Sequence, residues 1–215
     1  MFKSKKETVY IILAGIFITN AVVAELIGGK LIQVGPYVMS IGILPWPVVF
    51  VTTDLINEYF GEKGVRKLSF ITAGLIAYCF FILYLAINIP AATGISSVTD
   101  AQFYAVFGQS MWIIVGSITA FMVSQLIDVS IFHFVKSQTG NRMIWLRSTG
   151  STVISQFFDS FIVLGIAFWM TGKMSTEVYV SSALTGYFVK LIIAIALTPL
   201  IYLGHSVIKK YIDER

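Results

Sequence analysis

Two stretches of the sequence share a pattern of Ser, Gln, two apolar residues and Asp, from Ser124 to Asp128 and from Ser155 to Asp159. Gln and Asp three positions apart lie on one face of a helix, so each copy presents an amide beside a carboxylate. A carboxylate can accept two parallel N–H donors from a flat heterocycle such as guanine, and the amide can bind its carbonyl group. The candidate substrate contacts are Gln125, Asp128, Gln156 and Asp159. Alternatively, these side chains only join two helices by hydrogen bonds.

Other polar residues also interrupt apolar stretches of the chain, and the most notable are Asn20, Glu25, Asp54 and Lys190. A charge near the centre of a bilayer costs about 2.5–3.5 kcal/mol on insertion scales, so a set of them indicates a shared polar cavity. We expect Asp54 and Lys190 to tune or gate this cavity, with Asn20 and Glu25 contributing from its outer side. Lys190 is expected to pair with Asp159 or Glu25, as a structural tie or as a gate that substrate opens.

Aromatic residues near the repeated pattern could sandwich a planar ring. They are Trp112, Phe157, Phe158 and Phe161. Carboxylates would also attract a cationic amine, so these residues alone do not separate a base from an amine. Glu58 lies beside the basic cluster at residues 63–67, and we interpret it as a solvated residue at a helix end. His133 and His205 are interpreted as packing residues near an interface, in preference to proton relays.

The composition indicates which kind of secondary structure positions these residues. Of 215 residues, 57% are hydrophobic and 12% are charged, and the mean hydropathy is +0.84. Soluble domains are about 25% charged, so the chain is predicted to be an all-α integral membrane protein with one domain, residues 1–215. Six apolar segments are long enough to span a bilayer. They are Val9–Gly28, Met39–Asn57, Leu68–Asn88, Met111–Val135, Thr149–Thr171 and Ser181–Ile208. Strand-length runs of alternating polarity are not seen, which argues against a barrel.

Basic residues predict the orientation of these segments. Almost all of the 15 Lys and Arg residues fall on one side if six helices alternate, which places both termini in the cytoplasm. Their short clusters between apolar runs indicate topology determinants, not a nucleic-acid surface. The long connection at residues 89–110 has no Lys or Arg and is expected outside, with a short interfacial helix at residues 100–109. The first segment is expected to remain as an uncleaved helix.

Two features of the sequence allow more than one structural interpretation. The second segment begins with Gly42, Pro45 and Pro47, which suits either a broken helix lining a cavity or a kinked entrance; the kinked entrance is favoured. Gly and Ala in the third and sixth segments allow close helix contact and hence a homodimer. Cys79 is the only cysteine, so it supports neither an intrachain disulfide nor a cysteine zinc site.

Several catalytic signatures are missing from the sequence. It has no P-loop glycine pattern, no H-E-x-x-H motif and no G-x-S-x-G motif, so an enzyme is not predicted and no cofactor or metal is expected. Two competing classes remain beside a carrier. One is a membrane subunit that binds a vitamin-like heterocycle for a separate ATPase, and the other is an intramembrane enzyme.

Three segments resemble the queuosine precursor transporter family, also described as vitamin uptake transporter-like. They are TDLINEYFG at residues 53–61, SQLIDVSIFHFVK at residues 124–136 and LRSTGSTVISQFFDSFIV at residues 146–163. The resemblance extends over essentially the whole chain. It implies a multi-pass protein of the bacterial inner membrane that imports 7-deazaguanine precursors of queuosine, namely the 7-cyano or 7-aminomethyl compounds. Such a ligand fits the amide and carboxylate pairs, and a proton on one carboxylate could couple transport by alternating access.

Overall fold

The computed structural model is dominated by helices and describes residues 4–28, 30–34, 37–108, 111–140 and 142–213. Its helices are α1 Lys5–Ile27, α2 Trp46–Ile87, α3 Asp100–Phe107, α4 Met111–Thr139, α5 Ile144–Leu164 and α6 Thr176–Asp213. A π-helical segment, Gly165–Trp169, extends α5. Five helical stretches are long and apolar enough to cross a membrane: Lys5–Ile27, Ile41–Ile87, Asp100–Thr139, Ile144–Trp169 and Thr176–Asp213. The predicted all-α membrane architecture is confirmed at this level.

The connection after α1 differs from the prediction. Strands β1 Leu31–Val34 and β2 Tyr37–Ser40 form an antiparallel hairpin in which Leu31 pairs with Ser40. The second segment was predicted to begin at Met39, but Met39 lies in β2 and the helix begins at Trp46. Gly35 and Pro36 in its turn lie outside the described residues. The hairpin is short, and the backbone groups of its two strands satisfy each other by hydrogen bonds.

The prolines of the second segment mark a helix entrance, as favoured from the sequence. A 3₁₀ turn, Ile41–Ile43, leads into α2, and Pro47 lies in the first turn, where its missing N–H costs nothing. The backbone of Gly42 lies against α1, and a Cβ there would come within 2.8 Å of the Ala24 carbonyl oxygen. The helix then continues without a break to residue 60.

Gly61 interrupts α2 between the predicted second and third segments. Its φ of 72° and ψ of 179° are not helical, so the 42-residue element consists of two helices, residues 46–60 and 62–87. The predicted polar loop around residues 58–67 is thus replaced by one residue of non-helical backbone. Val49 from the first part and Ile76 from the second both belong to one buried apolar cluster with Phe17 of α1.

Replacing Gly61 with Ala should destabilise the protein by about 1–3 kcal/mol, because this backbone region is accessible almost only to Gly. A Cβ at Gly61 would meet no atom within 4 Å, so the cost comes from the backbone and not from a clash. Gly74→Ala is the matched control, since that helical glycine also has open space around it. The control should be neutral or slightly stabilising. Thermal unfolding of both purified variants in detergent measures the difference; equal midpoints would contradict the role given to Gly61.

The chain packs with polar groups inside and apolar groups outside. Large apolar side chains such as Ile12, Phe70, Tyr84 and Leu203 are exposed on the helix surfaces, where lipid would contact them. The interior contains the candidate residues Glu25, Asp54, Gln125, Asp128 and Gln156. The short helix predicted in the long connection is confirmed as α3, with Thr99 as its capping residue. This arrangement creates a polar interior between α1, α2, α4, α5 and α6.

Candidate functional site

The repeated Ser-Gln-x-x-Asp pattern joins α4 to α5 by two reciprocal hydrogen bonds. The Ser155 hydroxyl of α5 donates to Asp128 of α4 over 3.2 Å. The Ser124 hydroxyl of α4 donates to Asp159 of α5 over 3.4 Å. Because the helices run antiparallel, the serine of each copy faces the aspartate of the other. The two copies therefore meet as predicted, but the direct partners are serine hydroxyls, whereas the sequence had suggested that the amide and carboxylate pairs face each other.

The buried face of α5 is polar along its whole length. It consists of Arg147, Ser148, Ser151, Thr152, Ser155, Gln156 and Ser160. These positions recur at intervals of three and four residues, which is the spacing of one helix face. This polar stripe could have been found from the sequence, but only its Gln156 was selected there. A helix that turns such a face inward marks the wall of a polar site.

Asp159 and Lys190 form an ion pair between α5 and α6. Their side chains remain 13% and 20% exposed, so this pair is less enclosed than the other carboxylates of the interior. Glu25 of α1 accepts a hydrogen bond from Ser117 over 2.5 Å and interacts electrostatically with both members of the pair. Of the two partners considered for Lys190, the structure selects Asp159. Glu25 completes a group of three charged side chains from three helices.

A second group of carboxylates lies deeper, between α2, α4 and α5. The Ser148 hydroxyl donates to Asp54 and the Ser155 hydroxyl donates to Asp128, while the hydroxyls of Ser151 and Thr152 lie near Asp128. Asp54 and Asp128 are both fully enclosed and close enough to interact electrostatically. The structure thus brings Asp54 together with one of the two predicted aspartates. Gln125, one turn from Asp128, donates to the Thr53 hydroxyl over 3.4 Å.

Glu58 is not the solvated residue that was expected. Its side chain is 14% exposed, and its carboxylate binds Arg147 over 2.7 Å and Lys136 over 3.1 Å. Arg147 was interpreted only as a topology determinant, yet its side chain is 0% exposed. Its guanidinium also donates to the Gly140 carbonyl over 2.8 Å and lies over the Phe132 ring. This charged triad joins α2, α4 and α5 at the basic end of the bundle.

Some buried polar atoms have unused hydrogen-bonding capacity within the described chain. Asp54 Oδ1 and both polar atoms of the Asn57 side chain are enclosed without a partner. Gln156 is buried, and its side chain forms no hydrogen bond to a residue that the structure describes. Groups of this kind usually have a partner, so they point to places where a ligand or ion can bind.

Other candidates lie outside the charged interior. Asn20 donates to the Ile16 carbonyl one turn back on its own helix, over 2.9 Å. Phe157 is 39% exposed and packs with Phe161 and Tyr187, with ring centroids 4.6 and 5.6 Å away. Trp112 is also on the outside. His205, in contrast, is tied by Nδ1 to the Tyr59 hydroxyl over 2.9 Å, in keeping with a packing role.

Comparison with known proteins agrees with this polar-core membrane architecture. A Bacillus subtilis protein named "Probable queuosine precursor transporter" is 29% identical over 86% of this chain and 79% of its own length. A Haemophilus influenzae protein of the same name is 28% identical over 73% of this chain and 63% of its own length. No solved structure matches the chain significantly. Residues 40–204, most of the chain, match the family described as "Putative vitamin uptake transporter", and the chain therefore belongs to that transporter family.

Proposed function

We propose that this protein imports 7-deazaguanine precursors of queuosine across the bacterial inner membrane by alternating access. The substrate class is inferred from the names of the two relatives, and the transport activity is inferred from the family. The observation that carries the proposal is the Gln156 and Asp159 pair: an amide without a partner in the described chain, one turn from a partly accessible carboxylate. A deazaguanine offers the complementary edge, with adjacent N–H donors beside a carbonyl.

The two copies of the repeated pattern take different roles in this proposal. Gln156 and Asp159 contact the ring, because Gln156 has no hydrogen-bond partner in the described chain and Asp159 is more exposed than Asp128. Gln125 and Asp128 line the deeper side, where Thr53 and the serines of α5 already occupy them. The ion pair between Asp159 and Lys190 then acts as a gate, since substrate N–H groups and the lysine ammonium compete for the same carboxylate oxygens. Glu25 supports this gate from α1.

We infer six membrane crossings, with the break in α2 separating the second from the third. The Lys5 ammonium of α1 lies 5.3 Å from the centroid of the Tyr211 ring of α6, so the two ends of the chain are at the same end of the bundle. An even number of crossings is needed for that arrangement. The five long helical stretches satisfy it when residues 46–60 and 62–87 cross separately. The excess of Lys and Arg at this end supports its cytoplasmic location.

The basic end of the bundle also contains a cavity of about 380 Å³. Its lining residues are Glu58, Tyr59, Ile144, His205, Lys209 and Asp213. Glu58 contributes to this cavity while its carboxylate is held by Arg147 and Lys136. In the proposed cycle, the charged triad closes the interior from the cytoplasm, and the cavity is the exit path once the triad separates.

Bacterial cells that cannot synthesise queuosine precursors test the function. We expect that expression of this protein restores queuosine in transfer RNA when 7-cyano-7-deazaguanine or the 7-aminomethyl compound is supplied at low external concentration. Cells without the protein should remain deficient at the same concentration. Purified protein in liposomes should carry out the same transport without any ATPase. No restoration by either compound, with the protein present in the membrane, would reject the proposed substrate class.

A further inference from the structure

Asp54 and Asp128 form a pair of buried carboxylates that no residue contact neutralises. Asp54 faces Asp128 from α4 and Arg147 from α5, and its direct hydrogen bond comes from the Ser148 hydroxyl. Asp128 is surrounded by the neutral hydroxyls of α5. Neither carboxylate forms an ion pair with a residue that the structure describes. Two adjacent negative charges are therefore enclosed with hydroxyl groups as their direct partners.

The basic side chains of the interior are already bound to other carboxylates. Lys190 pairs with Asp159, while Lys136 and Arg147 share Glu58. Arg147 acts on Asp54 only through its field, since its guanidinium contacts Glu58 and the Gly140 carbonyl. Enclosing an uncompensated charge in a protein is strongly unfavourable, and two carboxylates that share a site cannot both stay ionised without a counter-charge. The pair is therefore suited to bind a cation.

An independent observation identifies the place for this cation. Asp54 Oδ1 and the Oδ1 and Nδ2 atoms of Asn57 are buried without a partner, and Asn57 is 0% exposed. Asn57 follows Asp54 by three residues and so lies on the same helix face. An unused carboxylate oxygen and an unused amide oxygen, one turn apart, are the hard oxygen ligands that small cations prefer. Both belong to the TDLINEYFG segment, in which Asp54, Asn57 and Glu58 share one polar helix face.

We propose that Asp54, Asp128 and Asn57 bind one monovalent cation, H⁺ or Na⁺, and that its movement is coupled to import. A proton would occupy the free Asp54 Oδ1, whereas sodium would be held by oxygens of all three side chains. The coupling rests on the proposed transport function, but binding of the cation does not. This site is separate from the ring contacts at Gln156 and Asp159, so one cation and one substrate can bind together.

Cation binding is tested first without any substrate. Unfolding midpoints of the purified protein in detergent are measured from pH 5 to 8, with NaCl compared against choline chloride. Sodium binding should raise the midpoint of the native protein in NaCl, and proton binding should raise it at low pH. Asp54→Asn and Asp128→Asn should each remove a sodium response and weaken a pH response, whereas Glu62→Gln, a change in an exposed ion pair, should keep both. A native protein that responds to neither condition would overturn the proposal.

Coupling is tested in liposomes with labelled 7-cyano-7-deazaguanine. At one cation per substrate, a tenfold inward gradient of the correct cation should drive about tenfold accumulation, because each 1.4 kcal/mol corresponds to a factor of ten. Asp54→Asn should lose this accumulation but still exchange internal for external substrate, which shows that it is folded. If uptake by the native protein changes with neither a proton gradient nor a sodium gradient, the coupling is overturned. Absence of any uptake would reject the proposed substrate while leaving the stability test to decide cation binding.

Discussion

Replacing Asp159 with Asn is expected to abolish uptake while the protein still reaches the membrane. In the proposed binding mode the variant loses the carboxylate that accepts the substrate N–H groups, and it leaves the Lys190 ammonium without its ion-pair partner. Removing one partner of a buried charged contact typically costs about 2–5 kcal/mol, so uptake should fall by at least about thirtyfold at low substrate concentration. Initial uptake rates in the queuosine-deficient cells, divided by the amount of protein in the membrane, measure this effect.

A double variant separates substrate binding from a purely structural ion pair. Asp159→Asn combined with Lys190→Gln removes both charges, so a role confined to holding α5 against α6 predicts recovery of stability and uptake together. If Asp159 contacts the substrate, the double variant recovers stability but stays inactive. Glu62→Gln is the control for removing a carboxylate, because that side chain is exposed and pairs only one turn away on its own helix. Full uptake by Asp159→Asn would remove Asp159 from the site.

Replacing Arg147 with Met should destabilise the protein by about 3–5 kcal/mol, the usual cost of breaking a buried ion pair by removing one partner. The guanidinium is fully enclosed and holds Glu58 of α2 and the carbonyl of Gly140 near the start of α5. The variant leaves Glu58 with Lys136 alone. The midpoint of thermal or denaturant unfolding in detergent measures the loss.

Arg142→Met is the matched control for this change. Arg142 lies five residues earlier in the same basic connection and is exposed, so its replacement should alter stability by no more than about 0.5 kcal/mol. The two arginines are indistinguishable as topology determinants in the sequence. Equal unfolding midpoints for the two variants would contradict the structural role of Arg147 and the closed triad at the cytoplasmic end.

The long apolar helices could be predicted from the sequence because bilayer thickness imposes a minimum length on each of them. The break within α2 could not be predicted in the same way. Residues 61–68 include Glu, Lys and Arg, which look like a polar loop between two apolar segments but are also good helix formers. The structure continues as helix through them, with non-helical backbone only at Gly61. A single backbone conformation thus decided the form of this connection.

The candidate site could be predicted only in part, because the sequence shows which residues share a helix face but not which atoms meet between helices. Helix periodicity is a local property, so it showed that Gln125 and Asp128, or Gln156 and Asp159, share a face, and the antiparallel connection brought the two copies together. Which atoms then meet depends on the axial shift between α4 and α5. That shift placed each serine opposite the other aspartate, at 3.2 and 3.4 Å, and left Gln156 available.

The sequence by itself determined the membrane class, the helical elements and the presence of carboxylates inside them, because each follows from local composition and spacing. Only the tertiary structure decided the pairing of those charges. It paired Lys190 with Asp159 and enclosed Arg147 with Glu58, while Asp54 and Asp128 have no ion-pair partner among the described residues. The physical reason is that ion pairs act over a few ångströms, and these distances depend on the rotation and packing of helices far apart in sequence.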